Sequence, residues 1–261
     1  MTASNKREAS GEHSRPHKVI KKNPLQIRPS SPASLGDISF WCTSVDPWEH
    51  YRRETTLPSG YHLAFLKKYP YTAVLVRQLN MAAAQATALR SVLHRNIVRL
   101  SRVYLENDSV TLIYDITVAS LKDILSFRPN WTVIETAAMC QGILSGLRYL
   151  HGVLGISHGD LRVENICLDL DGTVKIANIG DSLLRGGQDY NQDMCSLAGI
   201  IKQLCQPTEL SLPTLSDFLK GVEKGEPPSK LLQHEFLKLS NGDEQLHHCV
   251  WTWLATRLFF P

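Results

Sequence analysis

Ser157-His158-Gly159-Asp160-Leu161-Arg162-Val163-Glu164-Asn165, followed by Val174-Lys175-Ile176-Ala177-Asn178-Ile179-Gly180, is the stretch that decides the fold. Asp160 and Asn165 stand five residues apart, and Asn178 follows Asn165 by thirteen. Between them, Ile166 to Ile176 reads as two short strands around Asp171-Gly172, because Asp-Gly supplies the left-handed backbone that a tight hairpin needs. A lone His-x-Asp carries no weight. This ordered run does.

The run resembles the catalytic loop and metal-binding turn of protein kinases, H-R-D-x-x-x-x-N ahead of D-F-G, in which one Asp faces the substrate hydroxyl while the Asn and second Asp hold magnesium. The resemblance puts Asp160 at the catalytic-base position and Arg162 where serine/threonine kinases carry a phosphate-binding Lys. Asn165 and Asn178 fall at the two magnesium positions. An amide at position 178 brings an oxygen but no charge, whereas magnesium sites rely on carboxylates and phosphate.

Other landmarks follow in order. Asp46-Pro47-Trp48-Glu49-His50-Tyr51 is similar to the entry of the catalytic domain in PAK-type kinases of the sterile-20 group. Val74 to Asn80 resembles the third strand, V-A-I-K, with Arg77 in place of the Lys. Leu89 to Leu100 is similar to the end of the αC helix, and counting back from His94 places Gln85 where that helix supplies a Glu. Arginine keeps the charge but is a planar fork, so Arg77 is expected to brace the helix or reach solvent. Around Leu57-Pro58-Ser59-Gly60-Tyr61 only Gly60 matches the glycine-rich loop, so the phosphate cradle is expected to be dismantled. Val110 to Ile116 alternates like a strand that leads to a hinge, with Tyr114 at the gatekeeper place and Asp115 beginning the linker. The resemblance therefore assigns Gly60, Arg77, Tyr114 and Asp115 to an ATP site in degenerate form.

Ser120 to Leu125 resembles the first helix of the large lobe. Ala137, Cys140, Leu144, Leu147 and His151 recur at intervals of three and four, which predicts one buried face of a long helix. Asn178 and Asp193 are only fifteen apart, against about forty in a working kinase, so no sizeable activation segment fits. The Arg of H-R-D, which binds a phosphate on that segment, is Gly159 here, and the two losses agree. Asp193 occupies the position that hydrogen-bonds the catalytic-loop backbone. Leu89, the Val103 region, His158 and Ile179 fall on the apolar column that joins kinase lobes. Pro227 to Leu237 is similar to the closing kinase helix.

The fold expected is α+β and two-lobed, with a small β-rich lobe over about 46–114, a mainly helical lobe over about 118–237 and a shortened activation segment. Residues 37–237 form the kinase-like domain, and 238–261 an apolar extension read as a helix on the large lobe. Residues 1–36, basic and proline-containing, are expected to be a disordered tail, because too little apolar area is present to repay ordering.

The chain of 261 residues, 43% hydrophobic and 20% charged, suits one globular unit. Its net charge of +3 gives no reason to expect nucleic acid. Six cysteines without CxxC spacing read as reduced, buried thiols. Without a signal sequence or an 18-residue apolar run, a cytoplasmic or nuclear location is expected, with no membrane span. Losing one preorganised electrostatic element costs about 10²–10³ in rate, and three or four are altered. The reading is a pseudokinase that binds a protein partner, with ATP and magnesium binding weak or absent. The alternative is a weak ATP-dependent serine/threonine kinase.

Overall fold

A computed structural model describes residues 40–259, apart from Ser44, Pro58, Asn107, Pro129 and Asn130. The expected tail over 1–36 lies outside the described residues, as does Pro58 of the glycine-loop comparison.

The first lobe is a six-stranded sheet in the order β1-β5-β6-β4-β3-β2. Its strands are β1 (Trp41–Thr43), β2 (Tyr51–Thr56), β3 (His62–Leu66), β4 (Ala73–Leu79), β5 (Leu100–Leu105) and β6 (Val110–Asp115). Helix α1 (Pro47–His50) leads into β2, with the Asp46 carboxylate accepting from Trp48 N at 2.9 Å and Pro47 opening the helix. Strand alternation sorts β4 into two faces. Val74 and Val76 join Ala64, Leu66, Tyr104 and Ile113 in one apolar cluster. On the other face Leu75 and Arg77 pair across to Tyr114 and Leu112, which belong to the main core shared with the helical lobe. β6 is interior to the sheet, and Val110 to Tyr114 are all buried, so the half-buried alternation expected there gives way to a strand covered on both faces.

The helical lobe begins with β7 (Ala119–Ser120), which joins β8 (Ile166–Leu168) and β9 (Val174–Ile176) in a small sheet. Ser120 and Asp123 form a reciprocal capping box that starts α2 (Leu121–Phe127), and Thr132 and Glu135 do the same for α3 (Val133–Tyr149). Ala137, Cys140, Leu144 and Leu147 are fully buried on α3, as their spacing requires. The helix runs on into a wider turn, Leu150–Leu154, that carries His151 toward the catalytic loop. Then follow α4 (Ile179–Arg185), α5 (Tyr190–Leu204), α6 (Pro207–Leu210), α7 (Pro213–Glu223), α8 (Pro228–Leu231) and α9 (Glu244–Phe259). Only α8 and a 3-10 turn, Glu235–Leu239, occupy the region compared with a closing kinase helix.

Two regions depart from the expected kinase plan. No αC helix forms between β4 and β5; residues Ala83–Ala88 make a 3-10 helix and Leu89 to Ile97 is irregular. Gln85 accepts nothing from Arg77: its Oε1 accepts instead from the Ala82 backbone N at 3.2 Å. The alanine run has high intrinsic helix propensity but presents only Ala86 to the core, and a short helix without an apolar stripe has no packing to hold it. The activation region is a two-turn helix, α4, and a four-residue link, Gly186 to Asp189, before α5.

Helix α9 gives residues 244–259 a defined place. Leu246, Cys249 and Val250 are buried against α2 and α3. The turn before it presses on the β8–β9 hairpin. Gly172, at φ +82°, has the space of a β-carbon already filled by Asp243 O at 2.2 Å and His247 N at 2.7 Å. Arg95 holds the same turn through Asp243 at 2.8 Å.

Candidate active site

Four side chains from three separate segments meet on the core-facing side of the first sheet. Arg77 Nη1 donates to Asn178 Oδ1 and to Asp181 Oδ2, both at 2.6 Å. The Tyr61 hydroxyl donates to Asn178 Oδ1 at 3.1 Å, and the Arg77 guanidinium lies 5.5 Å from the Tyr61 ring centre. Asn178 Nδ2 closes the set onto Asp181 Oδ2 at 3.1 Å. The Arg77 and Asp181 side chains are 27% and 24% exposed, so the ion pair is partly shielded from water. Burial works against the Arg77 charge, and the Tyr61 hydroxyl and Asp181 carboxylate outweigh it, holding the guanidinium above its ordinary pKa. Burial likewise pushes the Tyr61 hydroxyl up.

Local sequence explains how each group arrives. Strand alternation turns Arg77 to the face opposite Val76. Asn178 sits at φ +65°, a left-handed conformation that asparagine tolerates better than most residues, and immediately precedes α4. Its amide serves the network instead of capping the helix. Asp181 lies in the first turn of α4, where a carboxylate also suits the helix dipole. Tyr61 enters from the β2–β3 turn, closed by Gly60 N to Leu57 O at 2.9 Å and Leu57 N to Tyr61 O at 2.8 Å, with Gly60 at φ +82°.

Tyr114 fills the floor. It is 2% exposed, its ring meets Tyr61 edge-on at 6.1 Å, and its oxygen accepts from Gly180 N at 3.2 Å. Burial drives its hydroxyl pKa well above the usual value. Asp115 ends β6, its backbone N donating to Arg99 O at 3.1 Å. Burial, only partly opposed by Arg99 and Lys175, raises its carboxyl pKa.

The catalytic-loop segment is held separately. Asn165 Nδ2 donates to Asp160 O at 2.8 Å and to Asp160 Oδ2 at 2.9 Å, and Arg162 Nε lies 3.4 Å from Asp160 Oδ1. Fully buried Asp193, on α5, accepts from His158 N and Gly159 N, each at 2.7 Å, and pairs with His151 Nε2 at 2.8 Å. Leu89, Val103 and Ile179 are buried in one apolar cluster, and His158 is fully buried. Helix α4 lies over the loop: Ser182 Oγ donates to His158 O at 2.9 Å, and Arg185 Nη2 to the same oxygen at 2.7 Å. The Arg185 guanidinium also covers Gly159, 3.5 Å from where a β-carbon would stand. An arginine from α4 thus sits where the motif lacks its own.

Asp181, Tyr61 and Arg185 are the site residues that sequence comparison passed over. Asp181 follows Asn178 by one helical turn, and the signal for that turn is Ile179 and Leu183 at an interval of four with Gly186 at the end. A cleft of about 330 Å³ opens beside Asp181, lined by Leu79, Asn80, Met81, Leu184 and Arg185 as well.

The protein kinase domain family model matches residues 64–197, just over half of the chain, and the chain belongs to that family. It is 36% identical over 98 residues, 37% of this chain and 9% of the relative, to the serine/threonine-protein kinase Tao of Drosophila melanogaster. It is 28% identical over 158 residues, 54% of the chain and 16% of the relative, to the serine/threonine-protein kinase SULU of Caenorhabditis elegans. With the serine/threonine-protein kinase ste20 of Aspergillus fumigatus the identity is 26% over 151 residues, 53% of the chain and 18% of the relative. The chain therefore spans less than a fifth of each of these proteins. Among the described residues no helix is long and apolar enough to cross a membrane.

Proposed function

We propose that this chain is a pseudokinase of the sterile-20 type that acts by binding a protein partner in the cytoplasm or nucleus, without phosphoryl transfer. The observation that carries the reading is the closed set formed by Tyr61, Arg77, Asn178 and Asp181. The charge that would meet phosphate is already neutralised by a carboxylate, and that carboxylate is engaged by Arg77 and an amide. Magnesium–ATP fits this arrangement poorly. The metal position offers an amide, and the glycine-loop tyrosine occupies the space above it. Asp160, with both its backbone and carboxylate oxygens bonded to Asn165, serves to shape its loop.

A second reading, weak ATP-dependent serine/threonine kinase activity, has one specific support: Asp181 places a carboxylate within 3.1 Å of Asn178, and Asp160, Arg162 and Asn165 keep their positions. Melting temperature measured against magnesium–ATP separates the two. A ligand at a hundredfold excess over its Kd stabilises by about 2.7 kcal/mol. No shift is expected. A magnesium-dependent rise, joined by transfer of label from radioactive ATP that Asp160→Ala abolishes, would overturn the proposal.

A further inference from the structure

A cluster outside the candidate active site has the donor chemistry of a metal centre. Glu135, at the start of α3, is a carboxylate with a 4% exposed side chain, and His248 and Cys249 reach it from α9. His248 Nε2 lies 2.8 Å from Glu135 Oε1, Cys249 Sγ lies 3.4 Å from the same oxygen, and Sγ and Nε2 are 3.6 Å apart. Tetrahedral zinc, with bonds of about 2.3 Å to sulfur and about 2.0–2.1 Å to nitrogen and oxygen, separates its S and N or S and O ligands by about 3.5 Å. Two edges of the observed triangle match that face, and the third, N to O, is shorter by about half an ångström. One sulfur, one imidazole and one carboxylate suit a borderline cation and not magnesium or calcium, which take oxygen.

The remaining groups around the cluster orient its carboxylate and compete for its donors. Glu135 Oε2 is fixed by Thr132, through its backbone N at 2.7 Å and its hydroxyl at 2.8 Å, which leaves Oε1 aimed at α9. Arg128 Nη1, at the end of α2, stands 2.6 Å from Oε1 and 2.9 Å from Cys249 Sγ, and Nη2 stands 3.3 Å from Oε2. The guanidinium thus satisfies the carboxylate and the sulfur in this structure, and a metal ion binds only by displacing it from Oε1 and Sγ. The His248 side chain is 58% exposed, which gives ions a route in.

We propose that Glu135, His248 and Cys249 bind one zinc-class divalent ion, with water as fourth ligand, and that this ion clips α9 to α3. The test uses the full chain and zinc itself, by competition with a chromophoric chelator. One equivalent is expected to bind, with cobalt in its place giving a thiolate-to-metal charge-transfer band. His248→Ala and Cys249→Ser should each weaken zinc binding roughly tenfold or more, and both should erase the zinc-dependent rise in melting temperature. Arg128→Gln should strengthen binding. Should Cys249→Ser fail to fold, His248→Ala, on an exposed side chain, decides alone. Failure of the wild type to take up zinc, or equal affinity in His248→Ala, would overturn the assignment.

Discussion

Breaking the Arg77–Asp181 pair tests whether the site is held shut by its own side chains. At 2.6 Å between a guanidinium and a carboxylate, each about one quarter exposed, the contact falls between a screened surface pair and a buried one. Charge-assisted hydrogen bonds contribute about 1.5–3 kcal/mol, and partial exposure argues for the lower end, about 1.5 kcal/mol. Asp181→Asn should therefore cost about 1.5 kcal/mol. Arg77→Met should cost more, about 2–3 kcal/mol, because it also strips Asn178 Oδ1 of a 2.6 Å donor. For a domain of this size each kcal/mol moves the melting temperature by about 2–4 °C, so the shifts expected are about 3–6 °C and about 4–12 °C. The double variant should lose less than the sum, since each single change removes the same bond. A coupling energy of about 1–2 kcal/mol in that cycle, measured by urea unfolding, is the expected outcome. Coupling below about 0.5 kcal/mol would mean that the two groups act independently and that the closed set has no energetic reality.

Three further consequences concern neighbouring positions. Gly180→Ala would place a methyl 2.3 Å from the Tyr114 hydroxyl and 2.8 Å from Leu112 Cδ1, and overpacking of this kind costs about 1–3 kcal/mol; denaturant unfolding should show partial rescue by the added change Tyr114→Phe. Gly172→Ala, strained by its positive φ and blocked by Asp243 O, should loosen α9 and make residues 244–259 the first segment cut in limited proteolysis, with the wild type cut there more slowly. His158 is buried with Nε2 on Ala177 O at 2.8 Å, and burial lowers its pKa below the ordinary histidine value of 6.5. The unfolded chain then takes up more protons than the folded one as pH falls below about 6.5. Stability should decline over that window by at most about 1.4 kcal/mol per pH unit and hold level above it, and urea unfolding at a series of pH values reads the slope.

Much of the fold was legible because its signals are local. The Asp171-Gly172 hairpin and the Ala137 to Leu147 stripe on α3 each follow from a few neighbouring residues, and each appears as read. Asp193 also holds the backbone N–H groups of His158 and Gly159, as its position in the motif implies. The misreadings arise where position within a family was substituted for packing. Counting from His94 puts Gln85 on a helix, yet the Ala-rich segment has no stripe to bury. Arg77 was expected to brace that helix or reach solvent, and it turns instead to the second lobe. Its partner, Asp181, lies 104 residues away, and no periodicity links positions so far apart.

The departures from the kinase pattern fit one another better than independent losses would. Without an αC helix, α4 packs directly against the 3-10 turn that replaces it. That position brings Asp181 to Arg77, which no longer has a glutamate from αC to meet. The other end of the same two-turn helix sets Arg185 on the carbonyl of His158, over the glycine that stands where a motif arginine would be. Buried side-chain nitrogens without partners do occur among the described residues, at Arg99, Trp131, His158 and Trp253, and none belongs to Tyr61, Arg77, Asn178 or Asp181. Each altered charge in the cleft has a side-chain partner, as partly buried polar groups require. Any one of these groups left orphaned would cost about 1–3 kcal/mol. A single cooperative unfolding transition in the purified protein follows from that satisfaction, and a broad, non-cooperative loss of structure would contradict it.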